Sequence, residues 1–537
     1  MSKLSLNDLV NLQNENTAVS TINTNNARIE AALEKTLSRD GTSPNQMTAV
    51  LDMNSNSIIN LPDPTHNDEP VTLGYFVSRI VGDEPVTVVS SFGNTLYFET
   101  FASAQGSTID STITYLYLKG YYSAGDGGGA KYVKVNSSPY HLTTADGKHW
   151  RLDEREFDIR MFGARCDGST DDKNAINAAD AAAAIAGVDV VFPGGFIAVS
   201  GGLTPSQNAR WRGAGAEKTT LYGLDPNLTL IDTTQLDVRL EHFRILFAVV
   251  RSSMAKTIDF HTSLPYGGSL RIKCVRIYLG GEGIRVSGFN PVFYFDELDI
   301  TQSVAGSVNA QINESFIGTF ANCVFSETGG IPFSHFSISN CTGQIQFINV
   351  NVFGASHGMF ITPGTGQVVT LIKALQLYLD SCTVDCLRIA PTSGGIVERC
   401  KFTQGWFAGS TGTNAPIVID GSAAVVVDQI DIINNDISVT VNSNSAIGVN
   451  TVSWFICQAN NFIINGTGNS AMSITNSTWG EISANKFTTN HLTPVFLTGT
   501  SGSYCIHDNM FASLSGTYIA DSSSGGNNKI HDNAPHN

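Results

Sequence analysis

Asn435-Asp436-Ile437, Asn460-Asn461-Phe462, Asn485-Lys486-Phe487 and Asn509-Met510-Phe511 punctuate residues 435–511, and the last member of each triplet follows its predecessor at 25, 25 and 24 residues. A constant interval of this length marks a repeat architecture, in which equivalent positions lie above one another along a solenoid. Between the triplets run brief alternations of apolar and polar residues broken by Asn, Gly and Ser, a pattern of short strands and turns. Asn suits the turn because it tolerates left-handed backbone, and its amide can bond the Asn of the next coil. The spacing predicts a mainly β chain wound as a parallel β-helix beyond residue 190. At about 4.8 Å per coil, roughly 350 residues make about 13 coils and a rod of roughly 65 Å.

Composition agrees. The chain has 537 residues, too many for one core, with 15% charged residues and 51 glycines. Uncharged polar faces and many turns follow from that mixture. A net charge of -16 without a Lys/Arg cluster argues against nucleic-acid binding. Nine cysteines, an odd number without a CxxC pair or zinc-type spacing, support neither a disulfide framework nor a metal site. They read as reduced core residues, and Cys323, Cys382 and Cys400, each followed by Val or Phe at the second position, suit an interior stack. The start Met1-Ser2-Lys3-Leu4-Ser5 lacks the apolar core of a signal peptide, and no apolar run approaches a membrane span. Assembly in a bacterial cytoplasm, with no membrane and no cofactor, is the expectation.

Toward the N-terminus, Leu12, Val19, Asn26 and Leu33 stand seven apart, with Ile22 and Ile29 between them. These form either a coiled-coil seam, in which Asn26 would fix register and oligomer number, or one amphipathic helix lying on its own domain. Residues 51–64, Leu51-Asp52-Met53-Asn54 through Asn60-Leu61-Pro62, followed by Glu69-Pro70-Val71, alternate turns and breaks too quickly for a long element. They resemble a segment common near the N-termini of phage tail fibres and tailspikes, which implies attachment to the virion or bracing of a trimer. Gly120-Tyr121-Tyr122 and Gly125-Asp126-Gly127-Gly128-Gly129 look like the neck that precedes the β-helix in many tailspikes. The triple Gly lacks the strand, GxxxxGK and helix order of a phosphate loop, so a tight turn is expected there.

Phe157-Asp158-Ile159-Arg160-Met161-Phe162-Gly163-Ala164 leads through Asp167-Gly168 and Thr170-Asp171-Asp172 to an Ala-rich helix and then Phe192-Pro193-Gly194. Thr170, Asp171 and Asp172 stand where a helix needs caps and negative charge at its N-terminus. The stretch is similar to the entry motif of pectate-lyase-like proteins, which implies a right-handed parallel β-helix whose first coil is plugged by the helix. Three parts follow: residues 1–82 as a virion-binding and trimerisation segment, 83–155 as a β-rich neck, and 156–537 as the β-helix with a capping helix at 171–186.

Carboxylates on stacked coils can supply the acid and base of a glycosidase. Aligning Cys382 with Cys400 aligns Asp380 with Glu398, with Tyr378 and Trp406 nearby to receive a sugar ring. A second set is Glu297 and Asp299, placed on one face by strand alternation, with Glu327 one coil above. Each set reads equally as a solvated acidic edge. Trp454 and Trp479, 25 apart, are either a glycan platform or a packing ladder. No nucleophile elbow, HExxH or EF-hand loop occurs, which weakens protease, esterase and metal-dependent alternatives. With the family resemblance, these residues imply a homotrimeric phage tailspike, joined to phage tail or adaptor proteins by its N-terminus. It would recognise a host surface polysaccharide (capsule, exopolysaccharide or O-antigen) and hydrolyse it as an endoglycosidase. A polysaccharide lyase and a non-catalytic glycan-binding fibre remain the alternatives.

Overall fold

A computed structural model describes residues 6–8, 14–33, 91–92 and 94–536, the last range interrupted at 250, 253–254, 263–267, 279–280, 290, 303, 410–413, 440–444, 466–469, 490–492 and 513–516. Leu12 and the segments 51–64 and 69–76 lie outside the described residues. The chain forms two compact units, residues 1–85 and 86–537. Within the first, the helix Glu15–Leu33 buries none of its residues. Val19, Ile22 and Leu33 of the predicted seam are exposed, as is Asn26, and Ile29 is half-buried. Asn7 lies on the same helix, its backbone N–H and C=O bonded to the Asn25 amide at 2.8 Å each.

The second unit opens with a six-stranded sheet between Ser91 and Leu152, closed over Leu116, Tyr132 and Trp150, all buried. The triple-Gly stretch is the tight turn its sequence predicts. Asp126 accepts the backbone N–H groups of Tyr121, Tyr122, Ser123 and Gly128 at 2.7–3.1 Å, so no anion is needed to satisfy them. Gly127 has φ +87°, and a Cβ there would lie 2.1 Å from the Arg160 guanidinium.

From Glu156 onward the chain is a parallel β-helix. Its first face stacks Phe157, Val190, Trp211, Leu240, Ile272, Phe295, Phe320, Phe347, Ala374, Phe402, Ile432, Cys457, Ile482, Ile506 and Ile530 in register. From Val190 to Ile530 that column takes thirteen steps. The second face carries the column deduced from the repeat: Ile437, Phe462, Phe487 and Phe511 are register partners, and the Phe462–Phe487 and Phe487–Phe511 rings stack at 4.6 and 5.0 Å. A third face runs through Ile258, Ile284, Ala310, Phe336, Met359, Leu387, Ile417, Ile447, Met472 and Val495. These inward side chains, with Cys323, Cys382 and Cys400, are buried apart from Ile530 at the last coil. Each large one contributes about 1.5–3 kcal/mol by leaving water.

Most coils pass from the first to the second face through one residue at positive φ: His242, Cys274, Glu297, Asn322, Asn349, Gln376, Gln404, Asn434, Ala459, Ala484, Asp508 and Asp532, all between +49° and +63°. This corrects the turn expected from the sequence. The repeated Asn does not itself adopt the left-handed conformation; its predecessor does, and the Asn side chain turns inward. Asn435, Asn460, Asn485 and Asn509 are buried, and the Oδ1 of each of Asn460, Asn485, Asn509 and Asn533 accepts the backbone N–H of the Asn one coil earlier at 2.8–3.1 Å.

The plugging helix is Lys173–Ala186, two residues shorter at its start than expected. Ile176, Ala179, Ala182 and Ala183 bury its inner face, and Asp180 ties it to the first coils by accepting Trp211 Nε1 at 2.6 Å and Ser206 N–H at 2.7 Å. Capping departs from the prediction. Asp172 occupies the N-cap, but its carboxylate accepts Arg165 N–H (2.7 Å) and Cys166 N–H (2.9 Å), and Asp171 takes the Lys173 N–H. The tight turn through Gly163 and Cys166, both at positive φ, leaves donors that Asp172, only 2% exposed, is placed to satisfy.

Candidate active site

In the coil containing Trp211 the single-residue corner is replaced by the loop 214–218, between strands Arg210–Gly213 and Thr219–Gly223. Hydrogen bonds pin this loop: Gly215 N–H donates to His242 C=O at 3.0 Å, and Ala214 N–H to Thr219 Oγ1 at 2.9 Å. Gly213 must be Gly, since a Cβ would meet the His242 carbonyl at 2.3 Å. So held, the loop walls a cleft of about 550 Å³ along the corner, floored by Cys274, Arg276, Glu297, Asp299 and Asn322.

Glu217 crosses the cleft to Arg276, and its other oxygen lies 4.0 Å from Arg244. Arg276 Nε stands 3.8 Å from Asp299 Oδ2. Burial raises the Asp299 pKa, against the opposing pull of Arg276 and a 3.4 Å bond from Thr301 Oγ1. The Cys274 thiol donates to Glu297, and burial pushes that thiol up to about 11, so it stays protonated at neutral pH. Asn322 bonds Asp296 at 3.0 Å and accepts from Asn349 at 2.9 Å, which steadies the rim. A carboxyl biased toward its proton and a second carboxylate in one cleft are the groups an acid–base hydrolysis requires.

The structure therefore brings Glu297 and Asp299 into one cleft, although not by strand alternation. Glu297 is the corner residue at φ 54°, and Asp299 begins the second face. Glu327 does not stand above them; its register partner is Gln302, because Asp299 pairs with Val324. The alignment of Asp380 with Glu398 also fails. Glu398 neighbours Thr370 and Asp428 on the adjacent coils, and Asp380 neighbours Phe353. Cys382 and Cys400 are 18 residues apart, whereas Ala374 and Phe402 show a coil of 28 there.

Tyr378 and Trp406 are register partners on the second face, both half-buried. Trp454 and Trp479 are 45% and 58% exposed with planes 4° apart, an open arrangement rather than a buried packing ladder.

Sequence reasoning missed Glu217 and Arg276. Their only signal was the Gly213-Ala214-Gly215-Ala216 run, which interrupts the coil pattern. It also missed a column formed by Ser334, His357 and Asp385 on three successive coils. His357 Nδ1 bonds Asp385 at 2.7 Å and Arg388 bonds the other oxygen at 2.8 Å, but the Ser334 hydroxyl is wholly inaccessible and has no partner. That serine cannot reach a substrate, so the column is a structural charge network. Among the described residues, Asp232, Asp259 and His261 bring potential metal ligands together on the third face. Asp259 is already held by Arg285 at 2.8 and 2.7 Å and by Lys256 at 3.1 Å.

No protein-family model matches the chain, and no curated protein matches it. Solved structures do. The tailspike gp49 of the Acinetobacter baumannii bacteriophage Fri1, a capsular polysaccharide depolymerase, is 14% identical with a TM-score of 0.45, over 80% of this chain and 77% of that one. The gp42 tailspike of Acinetobacter phage vb_AbaP_AS12 is 11% identical with a TM-score of 0.45, over 82% and 74%. The A-module of the Azotobacter vinelandii mannuronan C-5 epimerase AlgE6 is 15% identical with a TM-score of 0.44, over 71% and 99%.

Proposed function

We propose that this chain is a phage tailspike, a virion-borne homotrimer that binds a bacterial surface polysaccharide and cleaves it by glycosidic hydrolysis. The N-terminal segments that resemble tail-fibre docking and neck sequences support the virion role, and the exposed Val19, Ile22 and Leu33 supply a seam for the trimer. One observation carries the catalytic part: half-buried Asp299, its pKa raised by burial, shares the corner cleft with Glu297. Asp299 protonates the leaving glycosidic oxygen, and Glu297 acts on the opposite side as base or nucleophile. Arg276 positions both Glu217 and Asp299.

Incubation with host capsule, exopolysaccharide and O-antigen, followed by mass spectrometry of the fragments, tests this. Saturated oligosaccharides with new reducing ends are expected, and Asp299→Asn and Glu297→Gln should each abolish them while the variants stay folded. Fragments ending in an unsaturated uronate would replace hydrolysis by elimination. Binding without any fragments would leave a recognition fibre, a second reading favoured by the open Trp454–Trp479 pair.

A further inference from the structure

On the outward side of the first face, Arg210, Arg239, Arg271 and Tyr294 occupy one column on four successive coils. Register partners lie about 4.8 Å apart, and like charges so placed destabilise a sheet unless something neutralises them. Eight arginines lie between residues 210 and 285 (210, 212, 239, 244, 251, 271, 276 and 285). Arg210 faces Asp189 at 3.9 Å, Arg212 pairs with Glu156, Arg244 and Arg276 share Glu217, and Arg285 holds Asp259. Arg251 is buried and donates to the carbonyls of Pro226, Leu228 and Lys256. Among the described residues, Arg239 and Arg271 are the two of these eight whose guanidiniums have neither an ion pair nor a hydrogen bond, and they are adjacent. Lys273 lies beside them, one outward position along the Arg271 strand; its register partners on the two adjacent coils are Glu241, which is also that of Arg212, and Asp296.

An uncompensated pair of stacked guanidiniums on a chain of net charge -16 calls for an anion from outside. A planar, forked guanidinium pair fits a carboxylate. Tyr294, 46% exposed and next in the column, offers an aromatic face one coil further on. Arg271 and Cys274 share the strand Ser269–Tyr278, and Tyr294 and Glu297 share Val292–Gln302, so the column lies three residues, about 10 Å, from the cleft.

We infer that Arg239 and Arg271 bind the carboxylate of an acidic sugar while Tyr294 stacks on the neighbouring ring, so that the polysaccharide handled by this chain is a uronate-type polyanion fed around the corner into the cleft. This rests on the polysaccharide reading above and names its substrate class.

The full-length protein is titrated calorimetrically with polygalacturonate and hyaluronan fragments and with the same fragments after reduction of their carboxyl groups, at 50 and 300 mM salt. The expected result is at least tenfold tighter binding of the acidic form, weakened by salt. The double variant R239Q/R271Q should lose that tenfold preference while keeping its melting temperature and oligomeric state, and Tyr294→Ala should weaken both forms alike. Equal binding of acidic and reduced chains, no binding of either acidic chain, full affinity in the double variant, or a changed oligomeric state in it would each overturn the inference. Cleavage is scored separately on host polysaccharide with Asp299→Asn. Acid-specific binding without cleavage would defeat hydrolysis alone, and cleavage of a neutral polymer would defeat the acidic substrate alone.

Discussion

Trp454 and Trp479 hold their indole planes 4° apart with ring centroids 6.4 Å apart, and both rings remain open to solvent. Rings that buried each other for packing would not leave 45% and 58% of their residue surface exposed. Trp454→Ala and Trp479→Ala should therefore each weaken binding to the host polysaccharide about tenfold, about 1.4 kcal/mol, with little change in melting temperature. Titration alongside thermal unfolding separates the roles: a lowered melting temperature with unchanged affinity would make the pair a packing device.

Asn485 sits at the centre of the inner ladder. Its Oδ1 accepts the Asn460 backbone and side-chain N–H groups at 2.9 and 3.1 Å, and its Nδ2 donates to Cys457 C=O at 2.8 Å and Asn509 Oδ1 at 3.0 Å. Replacement by Ala strands these buried partners at about 1–3 kcal/mol each where no water enters, so a loss of at least about 3 kcal/mol is expected. Asn485→Asp should do no better, since a carboxylate cannot donate. Because each coil contacts mainly its neighbours, hydrogen exchange should report the loss around residues 457–511 before the rest of the rod.

The same ladder shows what could be read from sequence and what could not. Phe462, Phe487 and Phe511 announced their stacking because the coils there have nearly constant length and no insertion intervenes. Between Asp380 and Glu398 that constancy fails, and two cysteines 18 residues apart imitated a coil that is really 28 long. The cleft was half legible. Glu297 and Asp299 stood out as carboxylates, but Glu217 acts from a loop three coils earlier, and a contact made by winding leaves no local pattern. The helix plug was clear from its small residues, whereas the target of Asp172 depended on a turn whose free N–H groups sequence does not display.

Burial raises the Asp299 pKa, so its proton is held above the ordinary carboxylate value of about 3.9 and lost only as pH climbs through the raised one. A proton-donating Asp299 predicts that hydrolysis falls along that rise. Arg276 opposes the shift, so Arg276→Gln should move the descending limb of kcat to higher pH. The folding equilibrium has the same sign. The folded chain disfavours ionised Asp299, so Asp299→Asn should gain stability over wild type as pH rises above about 4 and show no advantage below it. A descending limb unmoved in Arg276→Gln would remove Asp299 from the role of acid.

His335 gives the opposite dependence. It is fully buried, with Nδ1 beside the Asn309 amide at 2.7 Å and Nε2 2.6 Å from the Gly354 carbonyl, and burial lowers its pKa to about 4. A carbonyl can only accept, so Nε2 carries the hydrogen and Nδ1 accepts from the amide, which makes the folded ring neutral. The unfolded ring takes its proton near 6.5, so the stability this residue confers is complete above that pH and drains away as pH falls toward about 4. The span corresponds to on the order of 3 kcal/mol. Denaturation of wild type and His335→Gln at pH 7.5 and pH 4.5 should show the wild type losing more stability on acidification by roughly that amount; equal losses would mean that His335 carries its proton in the folded chain.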